Sequence, residues 1–130
     1  MSKNTVSALK EAADGLLYMS ETDEPFDVVH WGKATSDLAG EVRRRAGAAA
    51  EAGMKEITLD KFFGQLTDPP HADEDAAADA AQYRKLVGTI REHLINVRVF
   101  RTGKVNIDIH IIGENTDHEW VGLKTKAVET

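Results

Sequence analysis

From residue 105 the chain runs Val105-Asn106-Ile107-Asp108-Ile109-His110-Ile111-Ile112. Apolar and polar side chains alternate there with a period of two, and an extended strand sorts such a pattern into one apolar and one polar face. A helix would scatter the same isoleucines around its circumference. The pattern predicts a strand over 105–112 with Val105, Ile107, Ile109 and Ile111 on one side and Asn106, Asp108 and His110 on the other. Val97 to Arg101 predicts its antiparallel partner, joined through the tight turn Arg101-Thr102-Gly103-Lys104. So apolar a face needs a second layer to cover it.

That layer is predicted from Asp73 onward. Tyr83, Leu86, Val87, Ile90 and Leu94 recur at helical spacing, and Asp73, Glu74 and Asp75 complement the dipole at the helix start. Elsewhere the spacing predicts a helix from Val6 to Tyr18 capped by Thr5, a polar turn over 19–25, and a strand from Phe26 to Trp31. A second helix is expected from Ser36 to Glu51, capped by Thr35 or Ser36 and stopped by Gly53. Lys55–Thr58 predicts a strand, Asp60 the start of a short helix carrying Phe62, Phe63 and Leu66, and Trp120–Val128 a last strand. Helices interspersed with strands and ending in a meander imply an α+β fold with a largely antiparallel sheet. A length of 130 residues fits a single domain, 1–130. One tension is built in: the polar side of 105–112 sits awkwardly if helices cover both faces of the sheet.

The chain has no cysteine, so disulfides and thiolate metal sites are excluded. Its first residues lack the apolar core of a signal peptide, and no apolar run approaches the roughly 20 residues that span a bilayer. A cytoplasmic protein, monomeric when free and without membrane contact, is the expectation. A net charge of −6 argues against direct nucleic-acid binding. The one basic knot, Arg43-Arg44-Arg45, would point around more than half a helix and is expected to be a solvated face. An acidic chain suits a basic partner.

Two constellations carry possible chemistry. Asp108 and His110, two apart on one strand face, together with His118, could form a small metal-dependent hydrolase site; the alternative is a solvated strand face and a surface loop. The turn Ser20-Glu21-Thr22-Asp23-Glu24-Pro25 and the ending Glu129-Thr130 each gather oxygen acceptors, groups that suit hard cations and basic clefts.

The segment Asp14-Gly15-Leu16-Leu17-Tyr18-Met19-Ser20-Glu21-Thr22-Asp23-Glu24-Pro25-Phe26 resembles the first signature of the nuclease A inhibitor family. Val99-Phe100-Arg101-Thr102-Gly103-Lys104-Val105, Asp108, Ile112-Gly113-Glu114 and the ending Thr125-Lys126-Ala127-Val128-Glu129-Thr130 resemble its second. Phe62-Phe63 and Lys85-Leu86 fall in place between them. The resemblance implies a three-layer α-β-α sandwich of the pathogenesis-related-protein type. It also implies a stoichiometric inhibitor, not an enzyme and with no cofactor of its own, whose partner is a Mg²⁺-dependent non-specific nuclease. Glu21 matches the glutamate that reaches the nuclease's metal region, and Thr130 the terminal residue that enters its cleft. Asp23, Glu24 and Glu129 would form an acidic rim. The loop after the Phe62-Phe63 helix is expected to join the interface through an aromatic anchor. Here residues 65–73 contain no Trp, Tyr or Phe, and His71 is the ring available.

Overall fold

The computed structural model describes residues 2–19, 22–35, 37–47, 51, 53–67 and 74–129. Helix α1 spans Ser2–Ala13, and strands β1 (Leu17–Met19) and β2 (Asp23–Pro25) form an antiparallel pair. There follow β3 (Asp27–Lys33), α2 (Leu38–Ala46), β4 (Met54–Ile57), α3 (Leu59–Thr67) and α4 (Glu74–His93). The chain then runs through β5 (Ile95–Thr102), β6 (Asn106–Glu114) and β7 (Glu119–Val128). Five strands pair antiparallel in the order β3-β7-β6-β5-β4. The fold is α+β with a mostly antiparallel sheet, as the order of elements predicts. Among the described residues no helix is long and apolar enough to cross a membrane.

The isoleucine row does what its period requires. Ile107, Ile109 and Ile111 are buried with Val99, Val121 and Leu123, and against them pack Leu9 of α1, Phe63 of α3, and Leu86 and Ile90 of α4. Full burial of each such side chain favours folding by about 1.5–3 kcal/mol. Phe100, Ile112 and Trp120 gather instead with Leu38 and Val42 of α2. Neighbouring residues of a strand point to opposite faces, so Val99 beside Phe100 and Ile111 beside Ile112 put the two clusters on opposite sides of the sheet.

The tension over the polar side of β6 resolves along the strand's length. Its Asn106 end is exposed and Asp108 half-buried, whereas His110 is only 1% exposed. Trp31 of β3 packs on the His110 ring at 5.6 Å, and the Arg45 guanidinium lies 4.4 Å from the centre of the Trp31 ring. The expected solvated face therefore holds a buried histidine. Val105 departs in the other sense: it precedes β6 and is 46% exposed.

Several boundaries move for local reasons. Helix α1 ends at Ala13, not Tyr18, because Gly15 adopts φ +79 and turns the chain into β1. Thr5 lies buried within that helix and does not cap it. The expected polar turn over 19–25 becomes a hairpin with Leu17 opposite Pro25 and Tyr18 opposite Glu24. Helix α2 is capped by Asp37, whose Oδ1 accepts the Gly40 N–H at 3.0 Å, and it ends at Gly47, φ +58. Ser36 and residues 48–50, where the other cap and the last turn were expected, lie outside the described residues. The Thr58 hydroxyl caps α3 by accepting the Lys61 N–H at 3.1 Å.

Candidate functional site

The β1–β2 hairpin is too short to stand alone, so its position depends on what grips it. The Tyr18 ring stacks on Phe62 of α3 at 5.3 Å and meets Phe26 edge-on at 6.3 Å. From α4 the Tyr83 hydroxyl donates to the Leu17 carbonyl at 2.5 Å, and the Gln82 amide to the Asp14 carbonyl at 2.7 Å. Burial pushes the Tyr83 phenol up to about 12, with Asp79 and Tyr18 adding to it, so it stays a donor at any working pH. On the far side, the Thr125 hydroxyl of β7 donates to the Pro25 carbonyl at 2.9 Å. The hairpin is thus held against both the helices and the last strand.

Its acidic residues differ in setting. Asp23 is exposed at the start of β2, while Glu24 is half-buried opposite Tyr18 and its Oε1 lies 3.5 Å from the Thr22 hydroxyl. Glu24, Pro25 and Asp27 line one side of a shallow cavity of about 270 Å³, and Lys124, Thr125 and Lys126 line the other. Cations therefore stand beside the carboxylates.

At the end of β7 the Glu129 N–H donates to the Val105 carbonyl at 2.9 Å, and the Glu129 carboxylate accepts the Arg101 guanidinium. Arg101 and Glu129 also line a cavity of about 280 Å³ with Gly53, Met54, Lys55 and Gly103. The Tyr18 phenol feels this pair: burial raises it, Arg101 lowers it and Glu129 raises it again. The hairpin and the last described residue consequently share one neighbourhood.

Of the residues expected at the partner surface, Asp23 and Glu24 lie on β2, and Glu129 follows β7, the strand to which β2 is bonded. Glu21, His71 and Thr130 lie outside the described residues. Glu21 falls in the connection between β1 and β2, and Thr130 follows Glu129. Arg101 and Thr125 stand in the segments quoted above, but sequence reasoning gave them no role at the site. Arg101 looked like a turn residue, and nothing local announces a partner 28 positions away. Thr125 did leave a signal: it is the one hydroxyl in the row Val121, Leu123, Thr125, Ala127, otherwise apolar and buried.

The alternative metal site does not assemble. His110 is buried, and desolvation first, then Lys124 and Arg45 against an opposing pull from Asp108, hold its imidazole at about 4. Its Nδ1 has no hydrogen-bond partner among the described residues. His118 sits in the turn after β6, exposed, with Nδ1 2.7 Å from Glu114 Oε1. Among the described residues no group of three His, Asp or Glu converges to hold a metal ion. Arg43, Arg44 and Arg45 form an exposed face as expected, with Glu41 pairing Arg44 and Arg45 at 3.4 Å each.

The model of one protein family, described as nuclease A inhibitor-like protein, matches residues 3–130. No curated protein matches the chain.

Proposed function

This chain belongs to the nuclease A inhibitor-like protein family, and we propose that it is a stoichiometric inhibitor of a Mg²⁺-dependent, non-specific DNA/RNA endonuclease. In this reading Glu21 and Thr130 enter the nuclease cleft, and Asp23, Glu24 and Glu129 lie around them. His71 takes the place of an aromatic anchor. The observation that carries the reading is the docking of the acidic hairpin beside the end of β7, through Thr125 on Pro25 and through Tyr18 beside Arg101 and Glu129. That contact supports the reading that two segments a hundred residues apart serve one surface.

The chemistry follows from the cleft such a nuclease must have. It binds phosphates, so it is basic, and a chain of net charge −6 is steered toward it. Its Mg²⁺ takes oxygen ligands and keeps several waters, so a carboxylate docks on the ion or on one of those waters. Thr130 offers a hydroxyl and, where the chain ends at it, a carboxylate ionised at neutral pH. Neither group presents a scissile phosphodiester, so the plug is not consumed. About 800 Å² from this side would make a standard interface, roughly a tenth of the 7582 Å² surface.

Titrating the chain, without a tag at its C-terminal end, into a Mg²⁺-dependent non-specific nuclease digesting plasmid DNA tests the reading. Loss of activity at a one-to-one ratio is expected. Full activity at large excess, across several such nucleases, would overturn it and favour a binding module of the same fold with another partner. The lack of Trp, Tyr and Phe in residues 65–73 is the feature that favours that second reading.

A further inference from the structure

Arg101 has a place in the fold that neither core packing nor the acidic rim explains. It stands on β5 with Lys55 of β4 as its register partner, so two cations face each other across the sheet. Like charges so placed repel, and Glu129 is the anion that offsets them. Its Nε is buried without a hydrogen-bond partner among the described residues, a costly arrangement that a swung-out side chain would avoid. The Glu129 carboxylate pairs its guanidinium there.

We propose that Arg101 is a positioning residue for the segment that follows β7, holding Glu129 on the sheet immediately before Thr130. The register of β6 with β7 closes at Asn106 opposite Val128. The Glu129 N–H bond to the Val105 carbonyl extends that ladder one step, and the Arg101 contact fixes the same residue by its side chain. One peptide, about 3.8 Å between Cα atoms, separates this doubly held residue from Thr130. A group ordered before docking loses less entropy on docking. The geometry stands by itself; its consequence for a partner rests on the nuclease-inhibitor reading.

Two measurements test this separately. In the free protein, Arg101→Gln and Glu129→Gln should each speed hydrogen exchange at the Glu129 amide about tenfold, with Ile109 and Leu123 amides still protected as a control for folding. Unchanged exchange at Glu129 in both variants overturns the proposal. In inhibition assays, Arg101→Gln should weaken the full chain about tenfold and have no effect in a chain lacking Thr130. Equal losses in both backgrounds would make Arg101 a general structural or contact residue and also overturn it. If the wild-type chain inhibits no nuclease, the functional reading fails, and the exchange at Glu129 still decides the positioning role.

Discussion

The Thr125 hydroxyl on β7 donates to the Pro25 carbonyl at 2.9 Å, joining residues a hundred positions apart. Thr125 is only 2% exposed and Pro25 lies nearer the surface, so the bond is part-buried. Replacing the hydroxyl by a methyl leaves shape intact and strands the carbonyl. Thr125→Val should cost about 1–2 kcal/mol, read as a lower urea midpoint, and weaken any inhibition that depends on the hairpin. An unchanged midpoint would show that this bond carries no weight in holding β2 to β7.

Gly122 lies in mid-β7, paired with Val29 on one side and Ile112 on the other. A Cβ there would stand 1.8 Å from the Ile111 carbonyl oxygen, a backbone atom that cannot retreat without opening the ladder. Gly122→Ala should destabilise by about 3 kcal/mol. Gly88 in α4 meets nothing within 4 Å, and Gly88→Ala should instead stabilise by up to about 1 kcal/mol. Thermal unfolding of the pair checks both signs, and equal shifts would contradict the crowding argument.

β6 was legible because a period of two survives in the sequence wherever one face of a strand is buried, and α4 because its apolar stripe recurs at helical spacing. What was not legible is long-range. Alternation marks His110 as polar but cannot show that Trp31 and α2 close over it. The helix through Val6, Leu9, Ala13 and Leu16 continues by spacing to Tyr18, yet Gly15 turns it, and Tyr18 finds its neighbours Phe26 and Phe62 only after the chain folds back. At the candidate site the residue types at Asp23, Glu24 and Glu129 were readable. The cations beside them, Arg101, Lys124 and Lys126, come from distant strands and were not.

His110 makes stability depend on pH. Its imidazole is held at about 4 in the folded chain, chiefly by burial, against about 6.5 when unfolded. Between those values the unfolded chain binds the extra proton, so stability rises with pH across the window. The contribution is fully present above about pH 6.5 and is lost as pH falls toward 4, a span of about 1–3 kcal/mol. Urea unfolding at pH 7, 5.5 and 4.5 should show this slope in the wild type and a flatter one in His110→Leu. Parallel slopes in the two proteins would mean that another group sets the acid sensitivity.

Glu21 and Thr130 are expected to act on the partner's off-rate, and net charge on its on-rate, so the two can be told apart. Glu21→Ala, or removal of Thr130, should each weaken inhibition by about 2–5 kcal/mol, the range for breaking one side of a buried charge contact. The loss should appear as faster dissociation with association little changed. Raising salt should do the reverse, slowing association by screening the steering field of a −6 chain while leaving dissociation nearly constant. Stopped-flow or surface-binding kinetics at two ionic strengths separate these effects. If both variants dissociate as slowly as wild type, Glu21 and Thr130 do not enter the cleft, and the inhibitory contact lies elsewhere on this face.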